Sequence, residues 1–156
     1  MFRKCLFAAC LFSTILSVSP LFAHGSAVGI VRERMKVMEY IAQHTRQIAP
    51  FAMGTFEMNT KFIKESGRSI SLAAEKLLQQ FPEGSLSESS EAKANIWENW
   101  EEFSGLLKKL QKDAADLSEI AKNDQADDIA PQFAKMTSSC KTCHTKFRQK
   151  KAEELD

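Results

Sequence analysis

Apolar side chains recur every three or four residues along four long stretches of this chain. That spacing places them on one face of an α-helix, whereas a strand would show alternation at every second residue. The pattern predicts helices over about 27–48, 59–80, 91–123 and 127–152. Amphipathic helices joined by short connections favour an all-α fold, here an antiparallel four-helix bundle.

Breaks in this pattern mark the ends of the predicted helices. Pro50 and Gly54 indicate that the first helix ends soon after residue 48, and Asn59 is a suitable N-cap for the second. Gly67 interrupts the second helix at a point where a neighbouring helix can approach closely. The third stretch is the most regular, with inward positions Ile96, Trp100, Phe103, Leu107, Leu110, Ala114, Leu117 and Ala121. The inward positions of the fourth are Ile129, Phe133, Met136, Cys140, Cys143 and Phe147.

The N-terminal segment predicts export. Two basic residues at positions 3 and 4 precede an uncharged apolar run over 5–18, and small residues follow. This arrangement is typical of a secretory signal peptide, and the run is short for a membrane-spanning helix. A buried N-terminal helix is the alternative. We expect residues 1–23 (or 1–27) to be removed, leaving 24–156 as one periplasmic domain without a membrane span.

Charge and cysteine content narrow the function classes. The chain has a formal net charge of +1 at pH 7, and loss of the two leader basic residues would bring it to about −1. This balance offers no basic excess for nucleic-acid phosphates. Cys5 and Cys10 would leave with the signal peptide, so Cys140 and Cys143 remain. A disulfide across two intervening residues would close a very small loop and stabilise little, so we expect these cysteines to serve chemistry.

The two remaining cysteines belong to the sequence C-K-T-C-H at 140–144, the C-x-x-C-H motif of c-type haem attachment. On a helix, these cysteines and the histidine occupy positions i, i+3 and i+4, which share one face. Two thioether bonds would anchor a porphyrin, and the adjacent imidazole would then reach its iron from one side. The motif therefore predicts one covalent haem c, attached to Cys140 and Cys143, with His144 as the proximal iron ligand.

Three other uses of the motif remain open at this point. A thioredoxin-like thiol oxidoreductase would carry the pair at the start of a helix in a βαβ unit, not late in an all-α chain. A structural zinc site would need four ligands, and the only further histidines are His24 and His44. An ordinary disulfide is the third alternative. No Ser-His-Asp set, paired-carboxylate site or Gly-rich phosphate loop stands out, so we expect no enzyme activity.

Four segments carry a family resemblance: the late C-K-T-C-H, the T-K-F-R after it, A-N-I-W in the third helix and R-E-R-M-K-V-M in the first. With them, essentially the whole mature chain resembles the class II cytochromes c. The resemblance implies a four-helix bundle with haem between the helices and His144 as the proximal ligand. Members of this family are often dimers through their first two helices, so a homodimer is a further expectation.

The resemblance makes the sixth position of the iron the feature that separates two functions. Cytochromes c prime leave it open behind an apolar residue and can bind nitric oxide or carbon monoxide, whereas a low-spin branch places a methionine there and looks like electron carriers. In the family this residue follows a basic or polar residue of the first helix by four positions, as Met38 follows Arg34. Met35 is a second candidate, and a core-filling role would also suit a methionine here. We predict an electron-transfer protein with Met38 as distal ligand, and a gas-binding protein as the alternative.

Two arginines and a basic C-terminal helix complete the predicted site. Arg34 interrupts an apolar face, where its charge requires a partner, and the resemblance implies a haem propionate for it and a place above the proximal imidazole for Arg148. A surface arginine with its stem along the protein is the alternative for both. Residues 129–152 contain no acidic residue but six basic ones: Lys135, Lys141, Lys146, Arg148, Lys150 and Lys151. Such a basic rim could steer acidic redox partner proteins, or be an ordinary solvated face.

Overall fold

The computed structural model describes residues 28–149, which form five α-helices. They are α1 (Gly29–Ala52), α2 (Thr60–Leu78), α3 (Asn95–Glu98), α4 (Trp100–Lys122) and α5 (Ala126–Phe147). The four long helices form the antiparallel bundle that the periodicity predicts, with the short α3 preceding α4. None of the helices described is long and apolar enough to cross a membrane. The predicted signal peptide and its cleavage site lie outside the described residues.

The ends of α1 and α2 follow from local sequence. α1 continues beyond its predicted end to Ala52 and includes Pro50. Proline lacks an N–H group and would interrupt the middle of a helix, but here it falls within the last turn. Gly54, at φ +70°, then turns the chain in a left-handed conformation that favours glycine. The predicted cap of α2 is confirmed, since the Asn59 side-chain oxygen accepts the Phe62 N–H at 2.9 Å.

The predicted third helix, 91–123, is interrupted. The chain is irregular before α3, and Asn99 leaves the helical conformation between α3 and α4 (φ −120°, ψ 39°). Trp100 is the first residue of α4 and directly follows this break. The prediction that it faces inward is wrong, because its side chain is 39% exposed. Trp97 is half-buried and donates its indole N–H to the Phe81 carbonyl at 3.1 Å. The other inward positions predicted for this stretch are buried.

Unequal packing between helices opens a cleft in the bundle. α2 and α4 lie close together at Gly67, where an added Cβ would be only 3.0 Å from the Ala114 carbonyl oxygen. The Ser118 hydroxyl, also on α4, donates to the Lys64 carbonyl at 2.9 Å. α1, by contrast, packs mainly on α2 and has little contact with α5. Space therefore remains between α1 and α5, beside the first half of α4.

Candidate haem site

Two adjoining cavities of about 320 and 240 Å³ lie in this cleft. They share Met38 of α1 and Cys143 and His144 of α5 in their walls. The larger cavity has a polar rim that includes Arg34 and Arg148. The walls of the smaller are mainly apolar and include Ile41, Ala42, Leu106, Leu107 and Leu110. One half of the cleft therefore has a polar rim over largely apolar walls and is called the polar half, whereas the other is called the apolar half. The two halves meet at the three shared residues.

The structure brings the three chemical residues of the motif onto one wall of the cleft. Cys143 is buried and His144 is more exposed, and both line the two halves of the cleft, while the half-buried Cys140 lines the apolar half. All three lie on α5, one turn apart or adjacent, because its helical conformation is unbroken from Ala126 to Phe147. No disulfide joins Cys140 and Cys143.

The environment of the thiols bears on the redox alternative. Burial raises the pKa of the Cys140 thiol, and burial followed by the charge of Cys140 raises the pKa of Cys143 to about 11. Thiol–disulfide exchange needs a thiolate, which a depressed pKa supplies at the active cysteine of a redox enzyme. The surroundings of Cys140 and Cys143 raise both thiol pKa values instead, which argues against a thioredoxin-like role.

The two candidate methionines occupy different places on α1. Met38 is half-buried, packs against the core and lines both halves of the cleft, as His144 does from α5. Met35 is 47% exposed and lines only the polar half. One turn of helix separates them, so the structure places Met38 between the cavities and Met35 at the rim.

Arg34 is buried and binds the loop that follows α2. Its Nη2 donates to the Gln80 carbonyl at 2.9 Å and to the Ser85 hydroxyl at 2.7 Å, and its Nη1 to the Ser90 hydroxyl at 3.3 Å. The guanidinium carbon also lies 3.9 Å from the centre of the Phe81 ring, within reach of a cation–π interaction. A carboxylate entering the polar half would share these N–H groups with the loop.

Arg148 lies at the end of α5, beside the motif. Its Nε donates to the Glu91 carboxylate at 2.7 Å, and its backbone N–H bonds to the His144 carbonyl at 3.1 Å. Partial desolvation lowers the pKa of the His144 imidazole, the charge of Arg148 lowers it further, and the charge of Glu91 opposes them. The imidazole is therefore mainly neutral at pH 7, which is the form that binds a metal.

A structural zinc site at the motif would need His24 or His44 as a further ligand. His44 lies at the contact of α1 with α2, where its Nδ1 is 3.2 Å from the Ser66 hydroxyl and its ring meets Tyr40 edge-on. His24 lies outside the described residues. Within 28–149, no three His, Cys, Asp or Glu side chains are grouped so as to hold a metal ion.

The donor set of the cleft fits a covalently attached haem. Two thiols and an imidazole share one helix face, apolar side chains line one half, and two arginines stand at the polar rim. The family model described as Cytochrome C' matches residues 29–148. The chain belongs to the cytochrome c' family. Proteins of this family carry covalent haem c, so the protein is a haem c protein, and the class II resemblance of its sequence is confirmed.

Relatives of the chain carry two names within this family. Cytochrome c-556 from Agrobacterium fabrum is 32% identical over 125 residues, covering 80% of this chain and 84% of the relative. Cytochrome c' from Rhodospirillum rubrum is 32% identical over 85 residues, covering 54% of this chain and 58% of that protein.

Solved structures of cytochromes c' share the fold. A nitric oxide complex of a cytochrome c prime variant from Alcaligenes xylosoxidans has a TM-score of 0.73 at 23% identity, over 78% of this chain and 94% of that one. Cytochrome c' from Rubrivivax gelatinosus has a TM-score of 0.71 at 23% identity, over 77% of this chain and 94% of its own. The predicted four-helix bundle is confirmed by these structures.

Sequence patterns do not reveal two acidic residues near the haem site. Asp113 is buried on α4 and Glu91 pairs with Arg148. Asp113 follows Leu110 by three residues, so helical spacing could have placed it inward. Glu91 lies in an irregular segment, and no local pattern relates it to the end of α5.

Proposed function

We propose that this c-type haem protein carries electrons in the periplasm, with haem attached to Cys140 and Cys143 and its iron held between His144 and Met38. The supporting observation is that Met38, Cys143 and His144 are the residues common to both halves of the cleft. When bound, the haem supplies an iron that takes up and releases one electron. We propose no catalytic turnover for the protein.

The surrounding side chains would serve this role by holding the ligands and excluding water. The thiols would become thioethers that fix the position of the macrocycle, and the neutral imidazole of His144 would be available as a ligand. Ile41, Leu107 and Leu110 would keep water from the apolar half. If the Met38 sulfur held the iron together with the His144 imidazole, it would raise the reduction potential relative to a pair of nitrogen ligands.

We propose that the arginines act at the polar half. Arg34 would donate to a haem propionate while keeping its bonds to Ser85 and Ser90. Arg148, held by Glu91, would lie over the proximal face beside His144. Both side chains line the polar half, which supports these positions.

A gas-binding function of the cytochrome c prime type is the second candidate. The family model and the relatives named cytochrome c' favour it over methionine ligation. In this case Met38 would remain an apolar distal residue and leave the sixth position open to nitric oxide or carbon monoxide.

The absorption spectrum of the purified protein separates the two candidates. Electron transfer with Met38 ligation predicts a low-spin ferric spectrum and a ferrous spectrum that carbon monoxide changes slowly or little. A high-spin ferric spectrum with rapid carbon monoxide binding would select the gas-binding candidate. A protein without haem absorbance would contradict both.

We also propose that the rim of the cleft contacts redox partner proteins, some of them acidic. Within the described residues, two lysines of the predicted basic rim lie near acidic side chains: Lys146 pairs with Glu102, and Lys135 lies near Asp113 and Asp116. Lys150 and Lys151 lie outside the described residues. Lys141 is exposed on the same helix. Steering should therefore be modest, and the rate of electron transfer with an acidic partner should fall only moderately as ionic strength rises. A rate independent of salt would contradict an electrostatic role.

A homodimer through α1 and α2 remains a proposal as well. The exposed side chains of Tyr40 and Leu72 on these helices support it. Sedimentation analysis of the protein and of its Leu72→Glu variant tests it: the variant should be monomeric, and a monomeric parent protein would contradict the proposal.

A further inference from the structure

A carboxylate lies buried beside the haem cleft and has no part in the function proposed so far. Asp113 of α4 is 1% exposed, and within 28–149 it and Arg34 are the only charged residues that are buried. Its Oδ2 accepts the Ser139 hydroxyl at 2.7 Å and the Lys109 ammonium at 2.5 Å, and its Oδ1 lies 3.5 Å from the Lys135 ammonium. A charge removed from water is costly unless it is paired in this way.

The bonds of Asp113 lead to the residue that precedes the first attachment cysteine. Ser139 is 4% exposed, and it lines the apolar half of the cleft together with Cys140. A second bond joins the same helices, because the Gln132 amide donates to the Asp113 backbone carbonyl at 2.8 Å. These contacts of Asp113 with Lys109, Lys135, Ser139 and Gln132, here called the Asp113 network, therefore tie α4 to the turn of α5 from which Cys140 projects.

The charges of the network are not equally screened. The Asp113 side chain is 2% exposed, whereas those of Lys109 and Lys135 are 47% and 52% exposed. Water screens the two ammonium groups, while the carboxylate acts through the less polarisable interior. Burial tends to raise the pKa of Asp113, but bonds from Lys109 and Ser139 and the nearby lysine charges leave it lowered. The group is therefore ionised at neutral pH.

We propose that Asp113 is a positioning residue of the haem site, which fixes the Ser139–Cys140 turn and holds down the reduction potential through its buried negative charge. The reduction potential is that of the ferric/ferrous couple of the haem iron. An electrode supplies the one electron, and no bond is formed or broken. A negative charge nearby stabilises the more positive ferric state. The proposal rests on haem attachment at Cys140, but not on which function the distal side serves.

Redox titration of the holoprotein tests the charge. Asp113→Asn keeps the shape of the side chain and should shift the ferric/ferrous equilibrium toward ferrous by about three- to tenfold, tenfold being about 59 mV for one electron. Asp113→Glu keeps the charge and should restore most of the parent potential even if stability falls. Lys109→Met removes a positive charge and should shift the potential in the opposite direction.

Asp116→Asn is the matched control. Asp116 lies one turn along α4, is more exposed and pairs with Lys112, so its neutralisation should change the equilibrium less than twofold. Thermal unfolding of the holoprotein reports the positioning role, and both Asp113→Asn and Ser139→Ala should lower Tm. Equal shifts for Asp113→Asn and Asp116→Asn, or shifts of the same sign for Asp113→Asn and Lys109→Met, would overturn the proposal. Should Asp113→Asn not fold, Lys109→Met and Asp113→Glu still decide it.

This test and that of the proposed function fail independently. A high-spin spectrum would contradict ligation by Met38, but the shift in reduction potential would still be expected for Asp113→Asn. An unchanged potential in Asp113→Asn with a low-spin spectrum would overturn only the present inference.

Discussion

The two walls of the cleft are built in different ways. On α5, Cys140, Cys143 and His144 project from one unbroken helix, so their relative positions follow from helix geometry. The α1 wall is held indirectly, since α1 has little contact with α5 and is tied through Arg34 to the loop after α2. We infer that α5 sets where the haem is attached, whereas α1 sets what faces the iron.

Relatives with two different names match this one chain. Proteins called cytochrome c-556 and cytochrome c' match the same chain at similar identity. An attachment wall fixed by helix geometry can be kept while one side chain of the opposite wall is exchanged. The family match therefore identifies the cofactor, and we propose that the distal side chain decides between electron transfer and gas binding.

Replacing the two attachment cysteines of the α5 wall should have the largest effect. In a Cys140→Ser/Cys143→Ser double variant no thioether bond can form, so covalent haem should fall to background. Haem staining after denaturing electrophoresis measures this. Thr142→Ser, an exposed change between the two cysteines, is the control and should retain full staining. Covalent haem in the double variant would place the attachment elsewhere.

Weakening the support of the α1 wall should cost stability. Arg34→Met keeps a long apolar stem but leaves the Gln80 carbonyl and the Ser85 hydroxyl without their donor. We expect the free energy of unfolding of the holoprotein to fall by about 2–4 kcal/mol in urea titration. Arg68→Met, at an exposed position of α2, should change it by less than about 0.5 kcal/mol. Equal losses for the two variants would show that Arg34 does not support this wall.

Releasing Arg148 should have the smallest effect on stability. Glu91→Gln removes the charge of a pair whose side chains are 30% and 37% exposed, so solvent already screens it. The expected loss in the free energy of unfolding is about 0.5–1 kcal/mol, with Glu88→Gln as an exposed control in the preceding loop. A loss of more than about 2 kcal/mol would mean that the α5 wall depends on this loop as strongly as the α1 wall does.

The sequence predicts those features of the fold that depend on neighbouring residues. Helical spacing locates the four long helices, and Asn59 caps α2 because its side chain needs only the N–H three residues later. The C-x-x-C-H motif likewise depends on one helix face. The repeat does not predict the interruption at Asn99, because an uninterrupted apolar repeat gives no sign that one residue leaves the helix. Nor does it predict that Trp100, the first residue after the interruption, is exposed.

Features that join distant segments could not be predicted in this way. The Glu91–Arg148 pair and the bonds from Arg34 to the loop after α2 join residues far apart in sequence. Asp113 is intermediate: its inward position follows from helical spacing, but its partners on α5 do not. These contacts depend on how the helices are assembled, and helical periodicity does not specify that assembly.

The distal side chain is tested most directly by the ferric absorption spectra of the parent protein, Met38→Ala and Met35→Ala. We predict a low-spin parent, a high-spin Met38→Ala variant and a Met35→Ala variant like the parent, with covalent haem retained in all three because the α5 wall is unchanged. A high-spin parent, or a Met38→Ala variant that stays low-spin, would contradict ligation by Met38.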